Sequence, residues 1–574
     1  MTFFWAVIGD CKLVPRLFHN DTRLTSFSGP PMSSRRALFV LKNVPKLDKV
    51  KLVKSLKVAY ADLDGSLNTV ARFSTSCVKL IAPEYTTDTN PGVRRGPFAK
   101  VTDKDISFFK DLLANRVLKG GEGHDDDLDE YNVDWLQSYR GRSKLVLKPK
   151  TTEEVSKIVK YCNERSLAVV PQGGNTSLVG GSVPVFDEIV LSMKLMNQVI
   201  SLDPISGILI CEAGCILENL EAYVGDHDLV MPLDLGAKGS CHIGGNISTN
   251  AGGVRLLRYG SLHGSVLGLE VVLPSGDVLD CLSTLRKDNT GYDMKQLFIG
   301  SEGTLGVITK AAILCPTKPK STQVAFLGLP NFHNVIKTFK EAKGILAEVL
   351  SAYEFMDSQS MDVVRDRLGY KSPIPDHSFY VLIEVSGSNA EHNEEKLNLF
   401  LEKVMEAGYV ENGTVATDSK KISNIWALRE NIAVGQKDAG HTYKYDISIP
   451  QDNMYDPVEI MRERLKHFGP KILYCLGYGH FGDGNLHLNV STEKFDRDVL
   501  HKIEPFVYEL TANYRGSISA EHGLGFKKAN AISYSKSDLA VKLMSQTKKL
   551  YDPKGIMNPY KLLPTHSSLF HYDQ

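Results

Sequence analysis

Apolar positions recur along this chain in two rhythms. From Lys104, the residues Ile106, Phe108, Phe109, Leu112 and Leu113 fall at helical spacing. Leu145-Val-Leu reads as a short strand. Thr152-Glu-Glu-Val-Ser-Lys-Ile-Val-Lys-Tyr-Cys predicts a helix with Thr152 as its N-cap. Ala168-Val-Val is a second strand and runs straight into Pro171-Gln-Gly-Gly-Asn-Thr-Ser-Leu-Val-Gly-Gly. Strand and helix signals alternate to about Cys315, the pattern of an α/β or α+β domain. From about Thr322 the glycine-rich turns stop. Val324-Ala-Phe-Leu-Gly-Leu predicts a strand, Val335–Val349 a helix and Phe379-Tyr-Val-Leu-Ile-Glu-Val another strand, as in a second domain of sheet and helices. Glycine and histidine return at 474–490, and the segment from about Leu500 reads as largely helical. No internal repeat is visible.

Composition narrows the classes. Hydrophobic residues are 42% and charged residues 23% of 574, ordinary for a chain that builds a core of its own. Lys+Arg and Asp+Glu balance at 67 each, which disfavours a generally basic nucleic-acid binder. Nine cysteines without a CxxC spacing suggest neither a disulfide framework nor a Cys-ligated zinc module. Cys211 and Cys215 read as two packed thiols. No apolar run approaches a membrane span, and Phe3–Gly9 is far too short for one. The balance hides an asymmetry, because residues 1–100 hold 16 Lys+Arg against 7 Asp+Glu, a net of +9. Arg35-Arg36-Ala-Leu-Phe-Val and Val70-Ala-Arg-Phe-Ser-Thr-Ser have the Arg/Ser-rich, acid-poor character of a mitochondrial transit peptide. Glu122–Glu130 reads as a solvated acidic loop.

Three glycine-rich clusters then need a common explanation. They are Pro171–Gly181, Gly239–Gly253 and Leu297-Phe-Ile-Gly-Ser-Glu-Gly-Thr-Leu-Gly-Val-Ile-Thr. Consecutive glycines let backbone N–H groups cradle phosphate oxygens. Neither GxxxxGK[ST] nor GxGxxG in a βαβ setting occurs, so an ATP P-loop and a Rossmann site are unsupported. Together and in this order the clusters resemble the FAD-binding domain of the vanillyl-alcohol oxidase/p-cresol methylhydroxylase flavoprotein superfamily. The resemblance implies an α+β fold: a two-part FAD-binding domain (101–320), a sheet-and-helix substrate domain (321–500) and a helical C-terminal segment completing the site (501–574). It places Gly173, Gly174, Asn175, Thr176, Gly181 and Ser182 at the pyrophosphate. Ser240, Gly244, Gly245, Thr249, Asn250 and Gly253 would line the flavin, and Glu302 and Ile308 would lie near the adenosine. Asn558 matches a C-terminal asparagine that reaches back to the flavin. Asn175 stands where a histidine attaches the flavin in covalent members, so non-covalent FAD is expected. His242 is the other candidate for attachment.

A second constellation points to a metal. In Gly479-His480-Phe-Gly-Asp-Gly-Asn-Leu-His487-Leu-Asn489, Asp483-Gly484 is a hairpin signal that would fold the two histidines toward each other. They could then share an ion at about 2.0–2.1 Å each. Asn489 shares a strand face with His487. Ser519-Ala-Glu521-His522-Gly-Leu-Gly can supply a third ligand. Two imidazoles and a carboxylate suit Zn²⁺, with Mn²⁺ or Fe²⁺ as alternatives, and leave a position open for substrate. The same motifs recur in the 2-hydroxyacid branch of the superfamily, where His480, His487 and Glu521 match the metal ligands and His522 the neighbouring histidine.

Arg429 and Lys444 bring two cations suited to carboxylates. Stretches such as Pro232-Leu-Asp-Leu-Gly-Ala-Lys-Gly-Ser and Ser351-Ala-Tyr-Glu-Phe-Met-Asp strengthen the resemblance to that branch, in which Arg429, Lys444, Asn489 and His522 match substrate-holding residues. Ala433 departs from it, standing where relatives can offer a threonine hydroxyl. The implied reaction is oxidation of a small 2-hydroxy dicarboxylate to a 2-oxo acid. His522 would act as base, C2 would give hydride to the flavin, and electron-transfer flavoprotein would be the acceptor in the mitochondrial matrix. The alternatives are a D-lactate dehydrogenase of the same branch and a catalytically silent flavin-binding partner protein. The net +9 and Arg72-Phe73-Ser74 yield a first prediction: N-terminal sequencing of the protein recovered from mitochondria starts near residue 74, and an intact Met1 would refute the processing.

Overall fold

The computed structural model describes residues 83–121 and 128–564 and, before them, three strands. β1 (Phe3–Ile8), β2 (Lys12–Phe18) and β3 (Leu24–Ser26) form an antiparallel sheet within a unit of its own, residues 1–81. The tracts at Arg35-Arg36 and 70–76 and most of the acidic run lie outside the described residues.

The remainder is built on three sheets. The first has the order β4-β5-β7-β6, from β4 (Val117–Lys119), β5 (Leu145–Leu147), β6 (Val169–Gln172) and β7 (Ile189–Ser192). β5, β7 and β6 run parallel. Helix Thr152–Arg165 makes the crossover and buries Val155, Ile158, Val159 and Cys162 with Phe109 and Leu113 of helix Asp103–Leu113. Its N-cap is Thr151, not Thr152: the extended Thr151 accepts from the Glu154 N–H, while the Thr152 hydroxyl turns away to donate to Glu270. Two adjacent threonines could each cap, and the buried partner claims the second.

The second sheet is antiparallel, β11-β10-β12-β9-β8. Its strands are β8 (Val199–Asp203), β9 (Ile208–Glu212), β10 (Val266–Val272), β11 (Val278–Cys281) and β12 (Val307–Leu314). The third has seven antiparallel strands in the order β16-β13-β15-β14-β18-β19-β17. These are β13 (Ser321–Leu329), β14 (Leu350–Asp357), β15 (Phe379–Gly387), β16 (Asn412–Ala416), β17 (His441–Ser448), β18 (Ile472–His480) and β19 (Asn485–Thr492). The helix expected at Val335–Val349 runs Phe332–Ile345, since the chain must turn at Leu346–Val349 to enter β14.

The third sheet buries both faces, and the period of two shares each strand between two cores. Ala325, Leu327, Tyr353, Phe355, Tyr443, Tyr445, Leu486 and Leu488 face one core. Val324, Phe326, Met356, Leu382 and Tyr478 face the other, with Ile425, Leu428 and Ile432 from helices Ser419–Glu430 and Ile432–Ala439. On β17 and β19 that second face carries Lys444, Asp446, His487 and Asn489 instead of apolar residues. The C-terminal segment alternates helices (Arg497–Ile503, Phe506–Asn513, Asp538–Tyr551) with loops. One loop bridges Ser517 to Ser448 at the end of β17, and the last returns to the first sheet, where Met557 lies parallel to Val169.

Candidate active site

Strand register assembles the site. His480 ends β18 directly opposite Glu354 of β14, and His487 of β19 stands opposite Asp446 of β17. One repeat further along, Asn489 faces Lys444. The β18–β19 connection is Phe481–Gly484, closed by Gly484 at φ +79°. That left-handed position explains the Asp-Gly pair.

Each histidine is held through its Nδ1 side by a buried carboxylate. His480 Nδ1 is 2.8 Å from Glu354 Oε1, whose other oxygen accepts from Arg429 Nε at 2.9 Å. Asp446 lies 3.9 Å from His487 Nδ1 and 3.6 Å from His522 Nδ1. It also accepts from the backbone N–H groups of Glu521 and His522 and from Asn485 Nδ2. All three Nε2 atoms are thereby aimed inward at Glu521 Oε1, at 3.9 Å from His480, 3.8 Å from His487 and 3.7 Å from His522. Glu521 Oε2 accepts from Gly253 N at 2.8 Å.

The electrostatics follow from this packing. Burial opposes charge on His480, but the Glu354 carboxylate overcomes it and holds the imidazole up at about 9. Burial and the neighbouring His480 push the His487 imidazole well down. Burial alone would raise Asp446, yet His522, Lys528 and His487 pull it well below the usual carboxylate range. One ligand atom each from Asp446, His487, Glu521 and His522 lies within 4.8 Å of the others, and His480 faces the same Glu521 oxygen. This nitrogen-and-oxygen donor set, with its outer carboxylates, fits a divalent cation.

The expected substrate residues divide. Lys444 is half-buried beside Lys437, Lys527 and Trp135, and desolvation, with the two lysines, lowers its ammonium to about 8. Arg429 is already paired with Glu354 and lies over the Tyr478 ring, 4.7 Å from its centroid. Asn489 donates to Gln436 Oε1 at 2.8 Å. Ala433 sits on the same helix as Gln436.

The glycine clusters meet beside this site. A Cβ on Gly174 would strike the Ser240 carbonyl, and one on Gly173 would touch His242, so the first two clusters are in contact. The second is a short helix, Ile243–Thr249, with Asn250 left-handed at its end. In it the hydroxyls of Ser240 and Thr249 stay with backbone carbonyls, of Ala237 and of Gly245 and Asn246. Gly244 packs on Ala213, Gly245 is open, and Gly253 at φ +83° leads to Glu521. Glu302 accepts from Leu524 N and Gly525 N, fixing the 519–525 loop from the third cluster. Asn558 Nδ2 donates to the carbonyls of Gly181 and Glu302. Ile308 is buried in the core of the second sheet.

Comparison with known proteins places this arrangement. Residues 143–282 match the FAD binding domain model and residues 318–562 that of the FAD linked oxidases, C-terminal domain. The mitochondrial D-2-hydroxyglutarate dehydrogenase of Danio rerio is 59% identical over 470 residues, 82% of this chain and 87% of that protein. The D-2-hydroxyglutarate–pyruvate transhydrogenase of Saccharomyces cerevisiae is 46% identical over 490 residues, 84% and 98% of the two chains. The chain belongs to the FAD-linked oxidase family. A solved p-cresol methylhydroxylase superposes with TM-score 0.64 at 15% identity, covering 80% of this chain and 96% of that one, which identifies the fold as the expected α+β flavoprotein fold.

As a member of that family the chain is an FAD-linked dehydrogenase, and the names of its relatives support a mitochondrial location. The FAD-binding loops fit the cofactor: His242 Nδ1 is buried without a partner beside Gly173, and burial lowers this imidazole to about 4. Glu354, Asp446 and Gln436 were not among the expected site residues. Their signal was an ionisable or amide group inside an otherwise apolar stretch, as in Leu350-Ser-Ala-Tyr-Glu354-Phe-Met. Asn175 is left-handed, with its amide tied to the carbonyls of Glu130 and Val133 and to the Ser182 hydroxyl. An amide offers no bond to flavin, so acid or heat should release all FAD; absorbance remaining on the denatured polypeptide would point to His242.

Proposed function

We propose that this dehydrogenase oxidises D-2-hydroxyglutarate to 2-oxoglutarate in the mitochondrial matrix. A divalent cation, Zn²⁺ before Mn²⁺ or Fe²⁺, is held by His480, His487 and Glu521, and electron-transfer flavoprotein takes the electrons from reduced FAD. The observation that carries this reading is the spacing on one sheet face. Asp446 with His487 and Lys444 with Asn489 are consecutive rows, about 6.7 Å apart along the strands. Four C–C bonds separate the carboxyl carbons of a five-carbon diacid, roughly 5 Å when extended, and two bonds span only about 2.5 Å of D-lactate. A substrate with C1 and C2 at the histidines therefore reaches Lys444 only if it is the longer acid. The relatives' names support the same substrate.

When bound, FAD supplies the hydride acceptor and the cation a Lewis acid at the C2 hydroxyl. His522 Nε2 takes the hydroxyl proton as general base, and the Asp446 carboxylate beside its Nδ1 favours the imidazolium that results. Loss of that proton and of the C2 hydride leaves the C2 ketone. Arg429 orients the end near the histidines, while Asn489 and Lys444 meet the remote end, with Lys444 reading its carboxylate. Gly173, Gly174, Asn175, Thr176, Gly181 and Ser182 hold the pyrophosphate of FAD. Ser240, Gly244, Gly245, Thr249, Asn250 and Gly253 line its flavin, Glu302 and Ile308 its adenosine end, and Asn558 closes the pocket. In this scheme 101–320 binds FAD, 321–500 binds substrate and 501–574 completes both sites.

Anaerobic mixing of the holoenzyme with D-2-hydroxyglutarate should bleach the flavin, and an unchanged spectrum in metal-replete protein would sink the proposal. Lys444→Met removes a charge-assisted hydrogen bond of about 1.5–3 kcal/mol, one to two decades in kcat/KM on D-2-hydroxyglutarate. D-lactate, with no remote carboxylate, should lose far less; equal losses would take Lys444 out of that role. Because the ligands converge on a domain with its own core, chelation should abolish flavin reduction while leaving FAD content and Tm nearly unchanged. His487→Ala should behave alike, and a variant that turned over normally would refute the cation's part.

A further inference from the structure

Two lysines stand over the far end of the site with no anion between them. Lys437 belongs to helix Ile432–Ala439, which packs on β17 and β19. Its neighbour Gln436 is fully buried, accepts from Asn489 Nδ2 and donates to Ser491 Oγ at 3.3 Å, so the helix is pinned to β19. Trp135 comes from the turn bounded by the Val133–Arg140 bridge and is half exposed. Lys437 Nζ lies 4.5 Å and Lys444 Nζ 6.0 Å from the centroid of that indole ring. Among the described residues neither ammonium forms an ion pair; the adjacent Lys527 has Glu504 at 4.0 Å.

Two like charges over one indole ring repel each other, and partial burial has removed water from Lys444. An indole face offsets part of that cost; an anion between the two ammonium groups would remove the rest. Lys444 shares its row with Asn489, where the remote end of the substrate lies in the reading above.

We propose that Lys437 is a second specificity-determining residue, which closes with Lys444 on the remote carboxylate of the 2-hydroxy dicarboxylate above the Trp135 ring. The inference rests on the dicarboxylate reading and deepens it. A carboxylate tail meets two cations and a methyl tail meets neither, so Lys437 acts on the choice of substrate and not on hydride or proton transfer.

The test is Lys437→Gln and Lys437→Arg in the full-length holoenzyme, with Lys466→Gln at an exposed helix end as a control for net charge. For Lys437→Gln, KM for D-2-hydroxyglutarate should rise roughly 3- to 30-fold, the range between an exposed and a buried charge pair, with kcat little changed. The rise on D-lactate should be much smaller, and Lys437→Arg should recover most of the loss. Calorimetric titration of the oxidised enzyme with 2-oxoglutarate should show the same weakening in Kd, independent of turnover. Equal changes on both acids, an unchanged Kd, or the same loss in Lys466→Gln would overturn the proposal for Lys437 while wild-type turnover on D-2-hydroxyglutarate keeps the substrate reading intact. No flavin reduction by D-2-hydroxyglutarate in the wild type would overturn both.

Discussion

Glu521 has to satisfy two structures at once. One carboxylate oxygen accepts the Gly253 N–H from the end of the second glycine cluster, and the other faces three imidazoles. Gly253 belongs to the stretch that matches the FAD binding domain, while the histidines belong to the seven-stranded sheet and the loop after it. The two halves of the enzyme therefore meet at this side chain. Gly253 can make the contact because its φ of +83° turns the N–H outward, in a place where a Cβ would collide with the Asp234 carbonyl. Glu302 then clamps the next turn of the same loop through Leu524 and Gly525, so the carboxylate that meets the histidines is fixed at both ends.

Convergence of so many ionisable groups in a buried place is costly unless every charge has a partner. The sheet meets that condition by register. Antiparallel pairing puts Glu354 directly across from His480, where opposite charges on one face attract most strongly, and Asp446 directly across from His487. Each carboxylate is further engaged, Glu354 by Arg429 and Asp446 by two backbone N–H groups. A one-residue slip of β19 would turn His487 and Asn489 into the aromatic core and bring Leu486 and Leu488 into the site. The hydrophobic pattern of β17–β19 is thus what specifies the chemistry, since it leaves the histidines only one face to occupy.

Much of this was legible in the chain. The strand at Leu145, the change of texture near Thr322 and the return of glycine and histidine at 474–490 all correspond to elements of the structure. The four residues His480, His487, Glu521 and His522 come together as their motifs suggested. Local signals failed where a distant partner decided the outcome: Thr152 lost the cap to Thr151 because Glu270 lay within reach, and the helix from Phe332 stopped early to feed β14. Glu354 and Asp446 escaped for the same reason. Each is one acidic residue in an apolar strand, and its meaning comes from a neighbour more than a hundred residues away, or forty, in register across the sheet.

The same register separates chemistry from recognition. In the proposed reaction, proton removal would depend on the row formed by His487 and Asp446, together with His522, and choice of acid on the row formed by Asn489 and Lys444. Two residues along a strand keep these rows on one face, with Tyr478 touching both, through the Asn489 amide and the His487 ring. The first row is saturated with carboxylates, which keeps its imidazoles in place and polarised. The second is left with uncompensated cations, because a site that neutralised its own charge would have nothing to offer an anionic substrate. On the proposed reading that difference would make the remote end tunable: a lysine on the neighbouring helix would alter which acid fits without touching the hydrogen bond between His480 and Glu354.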